Sequence, residues 1–124
     1  MTLNAKTAAT VLGAVFVLVG LLGFVPNPLV SATGALFQVN TAHNLVHLIT
    51  GAALLAGAYG GLGASLMLKI FGVVYAIVAV LGLVMGGPML LGLIAVNAAD
   101  HWLHVLLAVV ILAAGFMLPD DQAA

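Results

Sequence analysis

Two stretches decide how this chain folds: Val39-Asn40-Thr41-Ala42-His43-Asn44-Leu45-Val46-His47 and Val96-Asn97-Ala98-Ala99-Asp100-His101-Trp102-Leu103-His104. They match at an offset of 57 residues. Their polar groups recur every three or four residues. That spacing lines up Asn40, His43, Asn44, His47 and Thr50 on one face of a helix, and Asn97, Asp100, His101 and His104 on one face of another. All four histidines of the chain fall inside this pair. Upstream, Leu21-Leu22-Gly23 matches Val80-Leu81-Gly82, and Pro28 matches Pro88, at slightly larger offsets. The repeating unit is therefore a helix hairpin, present twice in the same orientation. Parallel repeats in a bilayer are related by a pseudo-twofold axis along its normal. That symmetry brings the starts of the second and fourth helices together on one face.

Outside these stretches the chain is nearly free of charge. Of its 124 residues, 65% are hydrophobic and 4% charged, the latter being two Lys and three Asp. A soluble domain carries roughly 25% charged residues, so a water-soluble surface cannot be built from this composition. Disorder is excluded on the same ground. Two lysines cannot neutralise a phosphate backbone, so nucleic acid is excluded as a partner. The absence of Cys removes disulfides, thiolate metal sites and thiol chemistry. An integral membrane protein remains, with the lipid bilayer as its first partner.

The apolar runs predict an all-α, four-helix transmembrane bundle forming a single domain over residues 1–124, with spans at about 7–25, 41–60, 65–85 and 98–118. Each approaches the ~20 residues that cross ~30 Å of hydrocarbon. None alternates apolar with polar as barrel strands do. Pro26-Asn27-Pro28, Gly60-Gly61, Gly86-Gly87-Pro88 and Pro119 supply the breaks. The connections 26–39 and 86–96 stay apolar and are expected at the interface or dipping against the helix ends. The first run exceeds the core of a signal peptide and reads as a retained span. Lys6 and Lys69 fall on one side of a four-span topology, which places both termini in the cytoplasm. Trp102 reads as an interface anchor and Tyr75 as a packing residue. Gly13, Gly20, Gly23, Gly51, Gly57, Gly72 and Gly82 read as points of close helix contact.

Polar groups facing lipid cost ~2–3 kcal/mol or more each, so the two stripes should face inward and meet. His43 and His47 stand one turn apart, as do Asp100 and His104. Three imidazoles and one carboxylate suit Zn(II), and also Fe(II) or Cu(II). Asn44 and His101 fall one residue further round and could hydrogen-bond the ligands, with Asn40 and Asn97 also in the surrounding shell. Two blander roles compete. Asn40 and Asn97 fit helix N-caps, and Asp100 favours the positive helix end. The whole set could equally be an interhelical hydrogen-bond network. His47 and His104 could also be paired haem ligands, although no Arg is present for the propionates.

The patterns Asn40-x-x-His43-Asn44-x-x-His47-x-x-x-Gly51 and Asn97-x-x-Asp100-x-x-x-His104 resemble those of a bacterial family of small four-helix membrane proteins, a domain of unknown function. The resemblance runs from the first helix to the last. It implies a four-helix domain of the bacterial plasma membrane and no activity, substrate or cofactor. The expectation is a non-enzymatic membrane protein whose buried His/Asp cluster, in the outer half, binds a transition metal or serves as a polar core. It would act as an accessory subunit with other membrane subunits or a second copy. The alternatives are a b-type haem or other redox protein, and a metal-dependent membrane hydrolase.

Overall fold

Side-chain caps and glycine turns divide the apolar chain. The computed structural model describes residues 3–119 and contains four helices: α1 (Ala5–Leu22), α2 (Thr41–Tyr59), α3 (Ala64–Met85) and α4 (Ala98–Met117). Two-residue strands β1 (Val30–Ser31) and β2 (Phe37–Gln38) join α1 to α2, and β3 (Met89–Leu90) and β4 (Ile94–Ala95) join α3 to α4. The all-α bundle read from the sequence is the architecture observed. Asp120 and Asp121 lie outside the described residues.

The bounds of α2, α3 and α4 follow the expected ones closely, while α1 is shifted toward the N-terminus. Asn4 caps it, its side chain accepting from Thr7 N at 2.9 Å. Asn27 folds the chain back past its end: Nδ2 donates to Leu22 O (3.0 Å), and Oδ1 accepts from Leu29 N (2.9 Å) and Val30 N (2.7 Å).

Within each hairpin the helices lie close: α1 along α2, α3 along α4. Small residues permit this. A Cβ on Gly51 would sit 2.7 Å from Gly13 O and 2.8 Å from Val17 N, and one on Gly72 would sit 2.7 Å from the Leu112 side chain. The pairing of Gly13 with Leu55 recurs as Gly72 with Leu112. The turn from α2 to α3 uses Gly61 (φ +87°) and Gly63 (φ +95°), in the left-handed region where a Cβ is strained.

The two connections are short strand pairs, β1–β2 parallel and β3–β4 antiparallel. Pairs this short leave no periodicity to read. They give partners to backbone groups that apolar surroundings would otherwise leave unmet. Each connection also touches the opposite hairpin. Asn40 Nδ2 donates to Leu93 O at 3.0 Å, and Asn97 Nδ2 donates to Leu36 O at 2.9 Å. This reciprocal exchange is the expected pseudo-twofold relation, and it holds the starts of α2 and α4 side by side. At the opposite end, Ala5 N donates to Pro119 O at 2.9 Å. There Lys6 Nζ lies over the Tyr59 ring and Lys69 Nζ over the Phe116 ring.

The outside of the bundle is apolar: Leu18, Ile49, Val84, Leu106 and Met117 are exposed, while His43, His47, Thr50, Asp100 and His104 are buried. This inverts the pattern of a soluble protein. Among the described residues, α1, α3 and α4 are long and apolar enough to cross a membrane. The 19-residue α2 has the length, but its polar stripe lowers its apolarity.

Candidate metal centre

The site begins at two asparagines. Asn40 Oδ1 accepts from His43 N and Asn97 Oδ1 from Asp100 N, each at 2.9 Å. These caps satisfy free N–H groups of the first turn. They also fix the helix phase, so residues three and seven positions beyond each cap share a face. On α2 these are His43 and His47; on α4 they are Asp100 and His104.

His43, His47 and His104 are 2–3% exposed. One ring nitrogen from each can be chosen so that all lie within 4.8 Å of one another. The His43 ring centroid is 4.6 Å from that of His47 and 5.6 Å from that of His104. Zinc with bonds of about 2.0–2.1 Å in tetrahedral geometry spaces its donors about 3.4 Å apart, so ring movements on the order of 1 Å would close the set.

His43 Nδ1 lies 2.6 Å from Ala95 O. A carbonyl only accepts, so Nδ1 carries the proton and Nε2 keeps its lone pair for a ligand. Nδ1 of His47 and Nδ1 of His104 are buried without a hydrogen-bond partner. An aromatic ring backs each of these two: Phe16 at 5.8 Å from His47 and Tyr75 at 6.0 Å from His104. Phe16 and Tyr75 meet near edge-on at 5.3 Å. Tyr75 OH is paired with Thr50 Oγ1 at 3.2 Å.

Asp100 does not join the three rings. Its Oδ2 accepts from Asn97 N at 2.9 Å and closes a capping box. A carboxylate three residues past a cap is within reach of the cap's own N–H, and that local bond takes it. Asn44 and His101, expected to orient the ligands, are also placed elsewhere. A Cβ on Gly23 would fall on the Asn44 amide, and one on Gly82 would fall on the His101 ring. Asn44 Oδ1 and His101 Nδ1 have no hydrogen-bond partner, so neither atom bonds to the three rings. Asn40 and Asn97 serve as caps and straps.

Two participants escaped the sequence reading. The Ala95 carbonyl is a backbone group and leaves no residue-type signal. The pairing of Phe16 with Tyr75 was accessible, since the two lie at the same offset as Gly23 and Gly82.

The space among His43, His47, His104, Tyr75, Leu90 and Ile94 is about 30 Å³. A single water needs roughly 10–15 Å³ of such space. An ion with one small ligand fits; a haem macrocycle between His47 and His104 does not.

Comparison with known proteins bears on the whole of this arrangement. The family model described as "Domain of unknown function (DUF4383)" matches residues 6–117. Neither the curated proteins nor the solved structures contain a match. The matched span runs from the first turn of α1 to the last residue of α4, through both capping asparagines and all four histidines, and the chain belongs to the DUF4383 family of domains of unknown function.

Proposed function

We propose that this protein is a small polytopic membrane protein that binds one divalent transition-metal ion between its hairpins, through His43, His47 and His104. One observation carries the reading: two buried ring nitrogens, Nδ1 of His47 and Nδ1 of His104, lack partners beside a third imidazole already oriented by a carbonyl. Buried polar groups in native structures are almost all paired, and apolar surroundings sharpen that demand. Asn44 Oδ1 and His101 Nδ1 are unpartnered too, but only His47 and His104 gather with a third imidazole. With an ion held through one nitrogen of each ring, the imidazoles have a chemical reason to be buried together.

The proposed setting is the bacterial plasma membrane. Lys6 and Lys69 at one end of the bundle support an orientation in which that end, with both termini, faces the cytoplasm. The histidines then lie in the outer half: His47 is six residues into α2, about 9 Å from its start. Asp100 is assigned to the α4 cap.

The test is elemental analysis of the protein purified in mild detergent. About one zinc-class ion per chain is expected, lost in His47→Ala and in His104→Ala and retained in Asn44→Ala. A metal content far below one per chain that does not respond to His47→Ala would overturn the assignment. The preparation should show no Soret band after haem supplementation.

A further inference from the structure

A census of donors around the three imidazoles shows what they lack. Asp100 is held by Asn97 N. The Tyr75 hydroxyl is engaged with Thr50. Asn44 lies against Gly23 and His101 against Gly82. Val46, Val74, Val78, Leu90 and Ile94 form the rest of the wall and offer no side-chain donor. Sealed structural zinc sites have four protein ligands, whereas sites with three keep a position for an exchangeable one.

Resting on the metal reading above, we propose that the three-imidazole centre presents an open coordination position to a small anion of one or two heavy atoms, of the class of hydroxide. Size follows from the space of about 30 Å³, which holds an ion and one molecule on the scale of water. Charge follows from the donors. Three neutral imidazoles leave the charge of a divalent ion uncompensated, the walls are apolar, and both lysines lie at the opposite end of the bundle. The ion is itself the counter-charge that offsets the desolvation of a small anion at the fourth position.

The experiment uses the full chain in detergent, loaded with Co(II), whose visible ligand-field bands report coordination. Cyanide is added at pH 7, where HCN binds through carbon as the cyanide anion and releases its proton to the buffer, and imidazole is added to a separate sample. The expected result is a band shift that saturates at one cyanide per cobalt, with cobalt content unchanged by elemental analysis and no shift from imidazole. Bound cobalt whose bands ignore cyanide would overturn this inference and leave the metal reading intact, provided the cobalt is lost in His47→Ala. Bands that shift as readily with imidazole would overturn the size limit and with it the inference. Failure of cobalt to bind at all would overturn the metal reading and this inference together.

Discussion

The first hairpin, α1 with α2, and the second, α3 with α4, share one plan and differ where they face the pseudo-twofold axis. Asn40 and Asn97 cap alike, Gly13 and Gly72 admit Leu55 and Leu112 alike, and His47 and His104 present the same unpartnered nitrogen. By contrast, His43 stands opposite Asp100, Phe16 opposite Tyr75, and Thr50 opposite Leu107. The first of these differences is the most instructive. His43 and Asp100 are held with reversed polarity: the imidazole donates to Ala95 O in the opposite connection, and the carboxylate accepts from Asn97 N of its own cap. The imidazole keeps the lone pair of its other nitrogen for the centre. Repetition builds the frame, and divergence decides that the first hairpin gives two ligands and the second gives one.

Breaking the matched pair should have the largest effect. His47→Ala and His104→Ala are each expected to lower metal affinity by about tenfold or more, the range already seen when mere supporting groups of metal ligands are removed. Because the two positions are equivalent, the losses should be similar; isothermal titration with zinc measures both. A loss confined to one of them would show that the hairpins do not share the ion.

The glycine contacts come next. In Gly51→Ala the new methyl meets backbone, Gly13 O and Val17 N, which cannot yield without parting α1 from α2. In Gly72→Ala the closest atoms belong to the Leu112 side chain. Overpacking of the first kind costs about 1–3 kcal/mol, so thermal unfolding in detergent should fall further for Gly51→Ala than for Gly72→Ala.

The reversed pair sharpens the comparison. Asp100→Ala removes a capping-box carboxylate and should destabilise the fold by about 1 kcal/mol, the scale of a lost cap, while bound metal stays near one per chain. His43→Ala should lose the metal. Denaturation and elemental analysis on the same two samples separate these outcomes. The smallest effect is expected from Tyr75→Phe, which makes position 75 match Phe16 and removes the bond to Thr50. A polar contact between membrane helices is worth about 0.6 kcal/mol on average, and the metal content should not change.

Much of this was legible in the sequence, for identifiable reasons. Helices appear because their apolar runs are long, and Asn40 and Asn97 mark two starts because a cap is a local device. The inward stripe was legible because polar side chains in lipid are costly. Spacing puts Asp100 on the face of His104, but spacing records which face a residue occupies and not which neighbour captures it; in the fold Asp100 Oδ2 accepts from its own cap N–H. Asn44 and His101 sit one residue round from the ligands, about 100° on a helix, and that rotation carries them toward α1 and α3. The cross-hairpin straps to Leu36 and Leu93 end on backbone carbonyls, which residue types do not announce.

X-ray absorption at the zinc edge of the zinc-loaded protein tests the central claim most directly. Three imidazole nitrogens at about 2.0–2.1 Å are expected, with one further light-atom ligand. An oxygen-dominated shell, or a spectrum unchanged by His104→Ala, would contradict a centre shared by the two hairpins.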